Sequence, residues 1–309
     1  MNPLSVRAVF LGTPEAAVPT LVSLSKVAEV AAVITRPDKP RGRSARLAPS
    51  AVKVAAAELG LPVLQPASAS ELTEALHQVG GIDVGIVTAY GTLISPEALS
   101  LPAHGFLNVH FSLLPRWRGA SPVVAALLAG DEETGVSLML LDQGLDTGPI
   151  VAARTVVIGR DEIAGELTNR LAILGAQLLV EVLPEWVGGR ISVTLQAGNG
   201  ATHAPKVTKS DLALDLATPA EELVRRIRAL APRPGAALTV GDVRLRVLAA
   251  RGIDGNLAAG ELAVADERVV VGTGQGALEL VTVQPPGKRP MPAAAWLRGL
   301  RSPPNEVGS

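Results

Sequence analysis

Asn108 and His110 stand two apart in the run Phe106-Leu107-Asn108-Val109-His110. On a strand that spacing puts both side chains on one face and turns Val109 to the other, into a helix layer. An amide beside an imidazole suits carbonyl chemistry. The amide can hydrogen-bond a developing oxyanion, and the imidazole moves protons near neutral pH. The bland reading is a polar pair that satisfies backbone groups, and the pair alone does not decide between the two. Asp146, in Leu145-Asp146-Thr147-Gly148-Pro149, offers a carboxylate that would orient the ring. An aspartate before Thr-Gly-Pro is also an ordinary turn former, and Asp142 competes with it by spacing.

Other motifs narrow the chemistry. Gly12-Thr13-Pro14-Glu15 follows an apolar run, but the further glycines of a dinucleotide fingerprint are missing and no Gly-Lys-Ser/Thr loop occurs, so neither NAD nor ATP is expected. The chain has no cysteine, which excludes disulfides and thiolate chemistry. His77, His104, His110 and His203 show no ligand spacing and no acidic company, so no metal site is expected. From Arg36 to Arg46, five basic residues (Arg36, Lys39, Arg41, Arg43, Arg46) face one acid, Asp38, with Pro and Gly interspersed. This is either a solvated surface loop or a contact for a polyanion.

These residues need a scaffold. Hydrophobic residues make up 48% of the chain, charged residues 18% and aromatics 2%. That is a globular composition whose core must come from Val, Leu, Ile and Ala. Short apolar runs alternate with helical patterns through the first part. Strands are expected at Val6–Leu11, Val30–Ile34, Val84–Thr88, Phe106–His110, Thr134–Leu141 and Ile150–Ile158. Helices are expected at Glu15–Ser25, Ser50–Leu59, Glu71–Gln78, Pro122–Ala129 and Ile163–Trp186. The pattern predicts an α/β domain with a mostly parallel sheet. After about residue 190 only Pro219–Leu230 reads as a good helix. Short, evenly spaced strands follow, as in a small β-barrel or sandwich. Domains are expected at 1–187 and 208–309, with a linker at 188–207. Residues 1–205 carry 14 Lys+Arg and 18 Asp+Glu (net −4), and residues 206–309 carry 14 and 11 (net +3). No apolar run reaches the roughly 18 residues of a membrane span, and no secretory leader is evident, so a cytoplasmic protein is expected.

The segment Phe106-Leu107-Asn108-Val109-His110-Phe111-Ser112-Leu113-Leu114-Pro115-Arg116-Trp117-Arg118-Gly119-Ala120-Ser121-Pro122 resembles the signature of the folate-dependent formyltransferases. Leu145–Pro149 resembles that family's aspartate loop. The likeness runs over nearly the whole chain. It includes Phe10–Glu15, the stretch from Arg36-Pro37-Asp38 to Pro49-Ser50, Ala89-Tyr90-Gly91, Ala204-Pro205-Lys206 and Gln284-Pro285-Pro286-Gly287-Lys288. The resemblance implies a Rossmann-like catalytic domain followed by an OB-like, tRNA-binding C-terminal barrel. It implies a catalytic trio of Asn108, His110 and Asp146. It also implies contacts from Ser112, Leu113, Leu114 and Pro115 to tetrahydrofolate, with 10-formyltetrahydrofolate as formyl donor. The basic loop and the ending are similar to members acting on initiator tRNA. They imply that Arg36, Lys39, Arg41, Arg43 and Arg46 reach its acceptor end, with Arg43 central, and that the acceptor is the methionine amine it carries. A monomer is expected. Phe111 departs from the family pattern, which has glycine there, and Ala16 stands where phenylalanine is frequent. The rival readings are formyl transfer to a small amine, formate release, and a non-catalytic RNA-binding protein.

Overall fold

The computed structural model describes residues 6–40, 47–241, 243–265, 268–300 and 307–308. The chain divides into two compact units. One comprises Met1–Pro122, Glu133–Val157 and Thr168–Ala204, the other Val123–Glu132, Ile158–Leu167 and Pro205–Ser309. Up to residue 204 the strands are β1 (Arg7–Gly12), β2 (Glu29–Ile34), β3 (Lys39–Pro40), β4 (Leu47–Ala48), β5 (Val63–Leu64), β6 (Val84–Thr88), β7 (Phe106–His110), β8 (Arg118–Gly119), β9 (Glu133–Leu140), β10 (Ile150–Val157) and β11 (His203–Ala204). The helices are α1 (Val18–Leu24), α2 (Ala51–Glu58), α3 (Ala69–Val79), α4 (Pro96–Leu99), α5 (Pro122–Ala129) and α6 (Ala164–Val187).

The main sheet of the first unit has the order β10-β9-β7-β6-β1-β2-β5. It is parallel from β7 to β5 and antiparallel where β9 and β10 join. The mostly parallel α/β sheet read from the sequence is therefore present, with an antiparallel edge. β6 and β7 are buried along their whole length, as strands covered on both faces must be. One side of the sheet packs Val9, Leu11, Ile34, Val87 and Phe106 against Leu72 and Leu76 of α3. Polar caps start the helices: Ser50 accepts from the Lys53 N–H and Ser68 from the Glu71 N–H.

Two close approaches fix β7. The Phe106 ring lies over Gly85 of the neighbouring strand, where a Cβ would fall 2.0 Å from the ring. On the other side, Val109 packs on Gly175 of α6, where a Cβ would fall 2.5 Å from Val109 Cγ1. Val109 thus faces the helix layer, as the alternation predicts. After α6 the chain stays with the first unit. Thr194 bridges to Ile150, and β11 pairs in parallel with β8. The stretch 188–207, expected to be a linker, is thus an ordered part of the first unit as far as Ala204.

The second unit contains α7 (Ala220–Leu230), β12 (Ala236–Val240), β13 (Val243–Ile253), β14 (Leu262–Ala265), β15 (Arg268–Gly272), β16 (Ala277–Gln284), β17 (Met291–Pro292), α8 (Ala293–Arg298) and β18 (Val307–Gly308). Its antiparallel sheet runs β14-β15-β16-β13-β12-β18, with β17 beside β16. Register shifts at Val247/Ala249 and Ala249/Ala250 bend β13. The curled sheet fits the small barrel domain expected. Leu223, Ile227 and Leu230 of α7 and Trp296 of α8 share its core with Leu238, Leu245, Val269 and Leu280. α8 is an addition to the helix content read from the sequence. Among the described residues no helix is long and apolar enough to cross a membrane.

Gly175→Val drives a branched side chain into Val109 and Val136. It should lower unfolding stability by about 1–3 kcal/mol, measured by urea denaturation. Gly198→Ala, where nothing lies within 4 Å of the added carbon, should change stability by less than about 0.5 kcal/mol.

Candidate active site

β7 delivers Asn108 and His110 to the C-terminal edge of the sheet, where open α/β sheets bind ligands. In register, Asn108 lies beside Val87 and Met139, and His110 beside Ser137. Both side chains are buried, at 9% and 6% exposure. Asp146 arrives from the loop between β9 and β10. Its Oδ1 accepts from Asn108 Nδ2 at 3.3 Å, and its Oδ2 accepts from the Gly119 N–H at 2.8 Å. Asp142 forms its own turn instead, accepting from the Gly144 N–H and the Thr147 hydroxyl. The geometry therefore separates the two aspartates that spacing leaves equal.

The imidazole is held from two sides. His110 Nε2 lies 2.9 Å from the Trp117 carbonyl oxygen. A carbonyl only accepts, so Nε2 carries the proton in the neutral ring and Nδ1 keeps its lone pair. Nδ1 lies 3.7 Å from Asp146 Oδ2. The closer contact that orients the ring comes from the Trp117 backbone rather than from the carboxylate expected to do so. Both holding residues have left-handed backbones, Trp117 at φ 61° and Asp146 at φ 52°. Such conformations in non-glycine residues cost about 1–3 kcal/mol each and persist where surrounding contacts determine them.

Those contacts come from the stretch after α6. The Trp117 N–H donates to Thr202 Oγ1 at 2.9 Å, and the Arg118 N–H to the Thr202 carbonyl at 2.9 Å. Gln196 Nε2 donates to the carbonyls of Asp146 and Gly148 at 2.9 and 2.7 Å, and its Oε1 accepts from the Arg118 guanidinium. Gly119, at φ 119°, lies so close to the Ala204 carbonyl that a Cβ would sit 2.7 Å from its oxygen. Sequence reasoning missed Gln196 and Thr202. The signal available was a polar, strand-prone run, Ile191-Ser192-Val193-Thr194-Leu195-Gln196, in a supposed linker.

Asn108, His110 and Asp146 share the wall of one cavity of about 500 Å³. The rest of the wall is mainly apolar, with Val87, Tyr90, Leu93, Ile94, Leu141 and Leu145. Burial pushes the Tyr90 phenol up, and the charge of Arg36 partly offsets this. Phe111, the departure from the family pattern, also lines the cavity, whereas Ser112, Leu113, Leu114 and Pro115 do not. The fully buried Ser112 hydroxyl donates to the Arg116 carbonyl, and the Leu114 N–H donates to Ser137 Oγ. Ser112 and Leu114 are buried, and Leu113 and Pro115 are half-buried.

Of the basic loop, Arg41, Arg43 and Arg46 lie outside the described residues. Lys39 is exposed in the short β3–β4 ladder, and Arg36 is half-buried, with its Nε unpartnered. At the loop's root, Lys53 Nζ pairs with Asp38 at 2.7 Å, and Gln65 donates to both Asp38 and the Arg36 carbonyl. In the second unit, Arg226 and Arg228 of α7 spend their guanidinium groups on backbone carbonyls, those of Asp211, Glu162 and Gly159.

Comparison with known proteins shows the family. The formyl transferase family model matches residues 6–183, and the formyl transferase C-terminal domain model matches residues 206–301; the chain belongs to the formyl transferase family. Methionyl-tRNA formyltransferase of Halorhodospira halophila is 46% identical over 309 residues, covering 98% of this chain and 99% of its own. The Thermus thermophilus protein of the same name is 48% identical over 300 residues, covering 95% and 96%. Among solved structures, HypX from Aquifex aeolicus in complex with tetrahydrofolic acid shares the fold with a TM-score of 0.68 at 18% identity, over 95% of this chain and 47% of that one.

The Trp117 contact predicts one tautomer. Side-chain ¹⁵N–¹H correlation spectra should show neutral His110 protonated at Nε2. A dominant Nδ1–H form would contradict the geometry.

Proposed function

We propose that the chain transfers the formyl group of 10-formyltetrahydrofolate to the α-amino group of methionine on initiator methionyl-tRNA, giving N-formylmethionyl-tRNA for translation initiation. The observation that carries this reading is one cavity joining an apolar wall to the Asn108–His110–Asp146 end, in a chain nearly collinear with relatives named for that reaction. The residues fit the donor. A cavity of about 500 Å³ is ordinary for a small-molecule site, and a mainly apolar wall with a few convergent polar groups suits a flat heterocycle. Val87, Tyr90, Leu93, Ile94, Leu141 and Leu145 would hold the folate, with Phe111 closing the floor. The folate supplies the formyl carbon.

The protein supplies the charge and proton handling. One Asn108 amide hydrogen is committed to Asp146; the other is left for the formyl oxygen as negative charge develops there. Preorganised donors of this kind act strongly because water is excluded. His110 Nδ1, the nitrogen without a proton, takes the proton shed by the attacking amine. The resulting imidazolium is held beside Asp146 Oδ2, 3.7 Å away. The same proton is then available to the departing folate nitrogen, so the ring ends as it began.

Acceptor recognition falls to other residues. Arg36, Lys39, Arg41, Arg43 and Arg46 contact the acceptor arm of the tRNA, as expected of cations facing a phosphate backbone. Residues 1–187 carry the chemistry and 208–309 add tRNA contacts, for which Arg244 and Arg246 of β13 are exposed. The reading is of a monomer acting in the cytoplasm.

Incubation with 10-formyltetrahydrofolate and charged initiator tRNA should yield formylmethionine on the tRNA. Glycinamide ribonucleotide or an amino sugar as the only acceptor should not turn over; the reverse result would reject the reading. Asn108→Ala should lower kcat by about 10²–10³-fold, and His110→Ala by about 10²–10⁴-fold, both read by the same assay. Arg43→Ala should weaken the use of tRNA and leave folate affinity unchanged. Equal kinetics with tRNA would remove the loop from recognition.

A further inference from the structure

We infer that Gln196 and Thr202 are positioning residues of the catalytic site, and that the stretch 194–204 is a strap locking the two loops that aim Asp146 and His110. The inference rests on the formyl-transfer reading above. The loop at 116–119 and the loop at 145–149 come from different ends of β7 and β9, and each contains a left-handed non-glycine residue. A left-handed backbone is unfavourable at Trp117, while an aspartate tolerates it better without being fixed in it, so contacts from outside the loops hold Trp117 and help to hold Asp146. The strap does so at both places.

Thr202 takes the Trp117 N–H on its hydroxyl, and its own carbonyl takes the N–H of Arg118. This sets the direction of the Trp117 carbonyl, the partner of His110 Nε2. Gln196 uses its whole amide. Both donor bonds go to the aspartate loop, at Asp146 and Gly148, and its oxygen takes two bonds from Arg118. One side chain therefore ties the two loops together. The strap is itself anchored at both ends, by the Thr194–Ile150 bridge and by the β11–β8 pairing. Neither Gln196 nor Thr202 lines the cavity, so neither acts on substrate directly. Their effect is on the aim of His110 and Asp146, where displacements of about 1 Å cost on the order of 100-fold in rate.

The experiment compares Gln196→Met, Thr202→Val and Thr202→Ser with the parent protein. Gln196→Met keeps length and removes both donors. Thr202→Val keeps shape and removes the acceptor, which Thr202→Ser retains. Gln196→Met and Thr202→Val should lose about 10–100-fold in kcat with both KM values within about threefold of the parent. Thr202→Ser should stay within about threefold of the parent in kcat. In Thr202→Val the His110 ¹⁵N spectrum should become a mixture of tautomers. Unchanged kcat, a loss carried by KM, a Thr202→Ser defect equal to that of Thr202→Val, or a lost cooperative melt would overturn the inference. A parent without turnover fails the formyl-transfer reading alone. The His110 tautomer in Thr202→Val still decides the strap, since an unchanged single tautomer refutes it.

Discussion

Asp146 accepts N–H bonds from Asn108 and Gly119 on its two carboxylate oxygens, while its own carbonyl takes one from Gln196. These donors sit in three separate segments of the chain: a central strand, the loop beyond it, and the stretch after the long helix. Pull any one away and the carboxylate loses its register with His110. An aspartate tolerates the left-handed region without being fixed in it, and donors from all three segments hold it there. The placement of this carboxylate thus depends on contacts across the first unit rather than on a local motif.

The strand layer makes that docking possible. Phe106 over Gly85 and Val109 against Gly175 set the height of β7 between its neighbours. Small residues at these two crossings allow the central strand to sit deep, and its polar face then opens at the sheet edge instead of being smothered by the helix layer. The buried hydroxyls of Ser112 and Ser137 serve the same end from below. Ser137 ties the turn after His110 to the antiparallel strand β9, and Ser112 closes that turn on the Arg116 carbonyl, so both hydroxyls are hydrogen-bonded as their burial demands.

Much of this was readable in the residues. The fully buried strands announce themselves as short runs of Val, Ile and Leu, and the period of two places Asn108 and His110 on one face. Spacing leaves Asp146 and Asp142 equal, since both stand in a turn; the choice of Asp146 comes from the family likeness, and the fold shows that it is the carboxylate that meets β7. Gln196 and Thr202 escaped for a related reason. Their partners lie 50 and 85 residues away, and no local pattern encodes a bond at that range. The likeness implies folate contacts from the Ser-Leu-Leu-Pro run, which adjoins the cavity residues His110 and Phe111 in sequence. Yet Ser112 turns inward, since the carbonyl of Arg116 closes a turn only four residues on. α8 was missed because Pro290 and Pro292 dominate its approach, while its helical character depends on burying Trp296 and Leu297 in the second unit.

The root of the basic loop is fastened more firmly than its composition suggests. The two-residue β3–β4 ladder closes it, and the Asp38–Lys53–Gln65 cluster clamps the chain just before it. A closed stem separates the sequence between its ends from the strand that bears it. Substitutions at Asp38, Lys53 or Gln65 therefore act on this stem without touching any residue that lines the cavity of Asn108, His110 and Asp146.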